Sequence, residues 1–191
     1  MNKIIGILGM QGAIVEHQEI LLQIPHTKTR IVKTAKDLDC IDGLILPGGE
    51  STAIGKLLDY FSLKEILRQK IISGLPVFGT CAGLILLAKN IENQTNTHLA
   101  TMDITVKRNG YGSQLDSFST NLLIPTIDKN MPIPLVFIRA PYITKTDKDV
   151  QILATLDNKI IAARQKNMLV SSFHPELTCD LRFHQYFLSM I

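Results

Sequence analysis

Three groupings of residues in this sequence have the types and spacing for acyl-transfer chemistry. The first is Gly79-Thr80-Cys81-Ala82-Gly83, a G-x-C-x-G segment set between two apolar runs. A thiol on a sharp strand-to-helix turn stands clear of its own backbone, and the helix N-terminus behind it favours the thiolate. Flanking glycines leave room for such a turn and for a close helix. A lone cysteine is ordinarily a buried structural residue, but two glycines at these offsets, in a strand–helix context, turn the reading toward a nucleophile. The second grouping is Ser171-Ser172-Phe173-His174-Pro175-Glu176. Here Pro175 is expected to keep the chain extended and out of helix, so that His174 and Glu176, two apart, share a face. The imidazole then serves as base, with the carboxylate fixing its tautomer and stabilising the imidazolium. In isolation His-Pro-Glu reads as a surface turn, and it gains force from the cysteine.

The third grouping is a pair of glycine-containing loops. Acyl transfer needs donors for an oxyanion. Pro47-Gly48-Gly49-Glu50-Ser51 and Gly9-Met10-Gln11-Gly12 each follow a predicted strand and precede a helix, where backbone N–H groups can face an anion. With Gly6, the second loop is also a loose dinucleotide fingerprint. However, the next strand ends in Lys33-Thr34 with no acid for a ribose, and no G-x-x-x-x-G-K-[ST] loop exists. Neither a nicotinamide nor an ATP site is expected. Arg108 and Arg139, in or beside strand ends, are either forks for a carboxylate or ordinary surface arginines. His17, His26, His98 and His184 have no defensible metal-ligand spacing and are read as outside the chemistry. No metal and no cofactor is expected.

These residues need a scaffold that presents several loops on one side. Lys3–Leu8, Lys28–Lys33, Asp42–Pro47 and Leu75–Phe78 read as buried strands, and Ala13–Ile24 and Leu84–Ala88 as helices. Ser51 is placed as the cap of a helix after Pro47-Gly48-Gly49. Leu63, Ile66, Leu67 and Ile71 give another amphipathic helix. Strand alternating with helix implies a parallel sheet covered on both faces. Beyond Ile104 the pattern changes to successive strands: Asp103–Lys107, Leu115–Ile124, Leu135–Arg139, Val150–Leu156, Lys159–Gln165 and Met168–Phe173, with a turn at Asp157-Asn158. A last helix carries Phe183, Phe187 and Ile191. The expected class is α/β, a mostly parallel sheet flanked by helices with antiparallel strands in the second half.

Length and composition set the outer bounds. With 191 residues, 46% hydrophobic and 19% charged, residues 1–191 form one expected domain with a core of its own. The net charge of +3 is spread along the chain, so nucleic acid is not an expected partner. Cys40, Cys81 and Cys179 are far apart and odd in number, which fits a reducing compartment better than disulfides or zinc. Two uncharged stretches, Ile4–Val15 and Ile71–Ala88, are interrupted by glycines or proline and read as neither export signal nor membrane span. A cytoplasmic location follows.

Taken together, PGGES at Pro47–Ser51, GTCAG at Gly79–Gly83 and SFHPE at Ser172–Glu176 resemble the class I, triad-type glutamine amidotransferases. GILGMQG at Gly6–Gly12, LILPGGEST at Leu44–Thr52, RNGYG from Arg108, Asp116-Ser117-Phe118 and FIRAP at Phe137–Pro141 are similar to the glutaminase subunits of pyridoxal 5′-phosphate synthase. The resemblance implies a flavodoxin-like fold and hydrolysis of L-glutamine to glutamate and ammonia. It also implies a partner, a PdxS-type synthase subunit in a large hetero-oligomer that receives the ammonia. By the same resemblance Cys81 is the nucleophile forming a γ-glutamyl thioester, His174 the base and Glu176 its orienter. Gly49, Glu50, Ser51, Arg108, Ile138 and Arg139 contact glutamine, and the Gln11-Gly12 peptide helps form the oxyanion hole. Two other readings keep the fold: a thiol hydrolase or redox sensor that does not use glutamine, and a non-catalytic interaction module.

Overall fold

Short apolar runs that lack polar alternation fit strands covered on both faces. The computed structural model, which describes residues 2–110 and 117–191, places four of them at the centre of the sheet. These are β1 (Lys3–Leu8), β3 (Gly43–Leu46), β4 (Val77–Thr80) and β12 (Met168–Ser171). With β2 (Thr27–Val32) they run parallel in the order β2-β1-β3-β4-β12. That is the flavodoxin-like order, in which ligands sit beyond the carboxyl ends of the strands, near where the order reverses.

Side chains alternate across these strands as the pleat requires. Leu44, Leu46, Val77 and Val170 face one core, whereas Ile45, Phe78 and Leu169 face the other. The first core is closed by α2 (Ser51–Tyr60), α3 (Lys64–Ile72) and α4 (Ala82–Leu87) through Leu58, Leu67 and Leu84. The second is closed by α1 (Ile14–Leu22) and α5 (Arg182–Leu188), where Phe183 and Phe187 pack on Phe78 with centroids 5.6 and 5.7 Å away.

The second half extends the sheet with mixed pairing. Beyond β12 lie β11 (Lys159–Gln165), β9 (Tyr142–Thr146), β6 (Met102–Lys107) and β5 (Ala88–Ile91), and β10 (Gln151–Leu156) pairs with β11. Asp157 and Asn158, both at positive φ, form the turn between β10 and β11, as a tight hairpin requires. A separate antiparallel pair, β7 (Ser117–Leu122) and β8 (Ile133–Ile138), covers the second core through Leu135 and Phe137.

Several expectations are corrected. The helix after Gly83 starts at Ala82, and Ala88 already belongs to β5, which follows α4 without a turn residue to announce it. β9 was not expected; it directly follows Pro141 and fully buries only Ile143. Helix α1 is shorter than Ala13–Ile24. Glu50, not Ser51, caps α2, accepting from Thr52 N and Ala53 N, and Ser51 is its first helical residue. Leu115 and Asp116 of the expected strand, and Tyr111 and Gly112 of RNGYG, lie outside the described residues. Ile71–Ala88 resolves into a helix end, β4 and α4. Among the described residues no helix is long and apolar enough to cross a membrane.

Candidate active site

The parallel order gathers the carboxyl ends of β1, β3, β4 and β12, and with them each of the three groupings read from the sequence. Cys81 occupies the β4–α4 junction with φ 49° and ψ −97°, a left-handed conformation that costs a non-glycine residue roughly 1–3 kcal/mol. Its surroundings hold it there. Cys81 N donates to Ser171 O at 2.8 Å, tying the turn to β12. The flanking glycines are needed for close approach: a Cβ on Gly79 would stand 2.6 Å from the Gly83 carbonyl, and one on Gly83 2.1 Å from Leu46 O. The Cys81 side chain is nearly buried, with Sγ 3.9 Å from the Ile138 carbonyl oxygen.

His174 follows β12 and is fixed by its own N–H donating to Val136 O at 2.8 Å. Its Nδ1 lies 2.7 Å from Glu176 Oε1, and the Cys81 side chain is near enough to the ring to raise its pKa. The pair does not lie on an extended segment. Pro175 starts a short 3-10 turn, Pro175–Leu177, whose curl brings Glu176 back under the imidazole. Proline suits that first position because its missing N–H would have no partner there. Burial disfavours the charged ring, but the neighbouring Cys81 side chain and the hydrogen bond and negative charge of Glu176 outweigh it. The His174 pKa is pushed up to about 10. Burial also acts to raise the Glu176 pKa, yet His17, and the hydrogen bond and charge of His174, hold it below the usual carboxylate range.

A cavity of about 500 Å³ opens over Cys81, a size that suits an amino acid. Of the residues that the resemblance gives a catalytic, substrate or oxyanion role, all but Glu176 line it, and Glu176 lies behind His174. On one side are Gln11, Gly12 and Gly49. Glu50 N donates to Gln11 Oε1 and Ala13 N to Gly48 O, which locks the two glycine loops together, and Gly48 N donates to Thr80 Oγ1 at the end of β4. On the other side stand Ile138 and Arg139, the latter at a positive φ of 43°. Arg108 reaches across to Glu50 Oε1 at 3.1 Å and Thr52 Oγ1 at 3.2 Å. Burial works to raise the Glu50 pKa, but the Thr52 and Ala53 N–H groups and Arg108 pull it below the ordinary value. Ser51 Oγ is buried at the cavity wall with no hydrogen-bond partner among the described residues.

Sequence reasoning missed two residues here. His17 and His184 are fully buried behind the cavity, with His17 Nε2 3.5 Å from Glu176 Oε2 and Nδ1 3.0 Å from His184 Nε2. The available signal was position. His17 shares the inward stripe of α1 with Ile14 and Leu21, and a polar residue on an apolar stripe needs a buried partner.

Comparison with known proteins accords with this geometry. The SNO glutamine amidotransferase family matches residues 7–191.
The chain belongs to that family.
Among the relatives of this glutamine amidotransferase is the pyridoxal 5′-phosphate synthase subunit PdxT of Ruminiclostridium cellulolyticum, 53% identical over 189 residues, which cover 99% of this chain and all of that one. PdxT of Clostridium botulinum is 55% identical over 184 residues, covering 96% and 95%. A crystal structure of a glutamine amidotransferase superposes with a TM-score of 0.90 at 39% identity, covering 97% of both chains. The structure of PurLQS from Thermotoga maritima, with a TM-score of 0.71 and 15% identity over 99% of each chain, shares the fold.

Proposed function

We propose that this chain is the glutaminase subunit of a pyridoxal 5′-phosphate synthase, and that Cys81, His174 and Glu176 hydrolyse L-glutamine. The single observation that carries the reading is a strained thiol and a buried, carboxylate-backed imidazole lining one amino-acid-sized cavity. The names of its near-full-length relatives supply the biosynthetic setting.

The raised His174 pKa makes the imidazole a ready acceptor, and it takes the thiol proton as Cys81 becomes the attacking thiolate. With Nδ1 turned to Glu176, Nε2 is the nitrogen that faces Cys81. The thiolate attacks the side-chain amide carbon of glutamine, and the peptides of Gln11-Gly12 and Gly49 receive the oxyanion. Nε2–H protonates the departing nitrogen, ammonia leaves, and a γ-glutamyl thioester remains. His174 next takes a proton from water, the hydroxide attacks the thioester, and glutamate departs as the thiolate re-forms. Ser51, with its unpartnered hydroxyl, hydrogen-bonds the substrate. Arg108 and Arg139 take its carboxylate, alongside Glu50 and Ile138. Ammonia passes to a PdxS-type synthase subunit in a large hetero-oligomer in the cytoplasm.

A glutamine-analogue electrophile tests this directly. Cys40 and Cys179 are exposed and Cys81 is buried, so labelling by access and labelling by mechanism give opposite results. Cys81 alone is expected to be modified with the synthase subunit present, and Cys81→Ala to release no ammonia. Modification of Cys40 or Cys179 in its place would sink the assignment.

A further inference from the structure

Burying a carboxylate demands donors for both of its oxygens. Glu176 is 5% exposed, and its Oε1 is served by His174 at 2.7 Å. Oε2 has no hydrogen-bond partner among the described residues, and His17 Nε2 stands 3.5 Å from it. That nitrogen also lies 3.2 Å from Thr80 Oγ1, which already accepts from Gly48 N. We infer that His17, backed by His184, is a positioning residue for the triad: it holds an Nε2–H against the second oxygen of Glu176 and so keeps that carboxylate ionised and aimed at His174. The inference rests on the triad reading above.

The protons can be assigned in order. His184 Nδ1 is buried and without a partner among the described residues. A buried N–H without an acceptor is the costlier orphan, so His184 carries its proton on Nε2. It then donates to His17 Nδ1 at 3.0 Å, which must be an acceptor. A neutral His17 in that state bears its proton on Nε2, directed between Thr80 Oγ1 and Glu176 Oε2. Both rings are uncharged for the same reason. Burial pushes the His184 pKa well below the ordinary value, with His17 adding to the effect. Burial likewise lowers the His17 pKa, helped by the charge of His174 and opposed by Glu176 and by Glu16 on its own helix. The groups facing His17 are therefore Glu176 and His174 from the β12 loop, Thr80 from β4, His184 from α5 and Glu16. The Nε2–H to Oε2 contact is long in the substrate-free state, and such bonds tighten in the reacting complex.

Removing this donor leaves a buried carboxylate half-satisfied, which favours its protonated form. A protonated Glu176 no longer supports the imidazolium, so the active ion pair is lost at a higher pH than in the wild type. With the synthase subunit present, His17→Leu is expected to move the acidic limb of kcat up by about one pH unit. It is expected to lower kcat near neutrality by roughly tenfold, with KM changed less than about twofold. In His17→Gln the amide nitrogen can take the place of Nε2, and the acidic limb is expected to return toward wild type. A purely structural role for His17 would change thermal stability and leave the limb in place. A second readout needs no variant: ¹⁵N-resolved spectra of the histidine rings in the full wild-type chain, from about pH 5 to about pH 9. His17 and His184 are both expected as neutral Nε2–H tautomers throughout. An Nδ1–H tautomer at His17, or an unmoved acidic limb in His17→Leu, overturns the inference while leaving the triad intact. Ammonia release by Cys81→Ala would instead remove the triad reading itself.

Discussion

Gly48→Ala puts one methyl group against the base. A Cβ at this position would stand 2.4 Å from His174 Cε1 and 2.9 Å from Nδ1. Gly48 is not among the residues at positive φ, so alanine adds no backbone strain and the clash falls on the ring. To reach ordinary carbon contact the imidazole must retreat by about 1 Å. It has little freedom to do so, because Nδ1 is held 2.7 Å from Glu176 and the His174 backbone N–H is pinned to Val136 O at 2.8 Å. A swing of that size breaks the bond to Glu176 or carries the ring off its position beside Cys81. A displacement of that size in a catalytic constellation lowers rate by about 10²-fold, equivalent to roughly 2.7 kcal/mol of barrier. The assay is steady-state ammonia release in complex with the synthase subunit, beside thermal unfolding of the same preparation. Expected is a kcat loss near that size with KM little changed and a melting temperature lower by only a few degrees. A kcat within about threefold of wild type would refute the reasoning, because the ring would then have room that the structure denies it.

Two more outcomes follow from charge placement. Because His174 is raised to about 10, its protonated form persists through neutral pH and is lost as pH rises through that value. Ammonia release should therefore hold into alkaline buffer and fall near pH 10, and half-loss near the ordinary histidine value of about 6.5 would contradict the ion pair. At the start of α5, Arg182 donates to Asp180 Oδ1 at 3.0 Å, Asp128 Oδ2 at 2.8 Å and the Met131 and Pro132 carbonyls. Backbone N–H groups of Asn130 and Met131, then Arg182, lower the Asp128 pKa to about 2. Folded-state depression makes this contribution present above the ordinary carboxyl range and lost as pH falls through about 2. Arg182→Met should lower the melting temperature by several degrees at neutral pH and shift acid unfolding upward, and an unchanged acid midpoint would argue against the staple.

The central strands were legible because burial on both faces leaves an uninterrupted apolar run, as in Leu44–Leu46 and Val77–Phe78. The cysteine elbow was legible because only glycine permits the approaches measured at Gly79 and Gly83. Strands β5 and β9 were not. Their residues alternate weakly, and what makes them strands is pairing with β6, which is a tertiary fact. The turn at Pro175 was misread for a related reason. Proline excludes the interior of a helix but favours its first position, and local sequence does not say which applies. His17 and His184 lay furthest from view. Each is one polar residue on an apolar stripe, and their meaning depends on α1 and α5 meeting over Thr80 and Glu176.

The hydrogen bond from Cys81 N to Ser171 O has a consequence in time. Strands β1, β3 and β4 leave the ribosome well before β12 is made. Until β12 inserts beside β4, nothing holds Cys81 in its left-handed turn, and His174 and Glu176 do not yet exist to take its proton. A nascent or truncated chain thus carries an ordinary thiol, and the reactive one is switched on only by the last strand. Reactivity of Cys81 toward a glutamine-analogue electrophile, as distinct from labelling by access, is for that reason a reporter of completed folding.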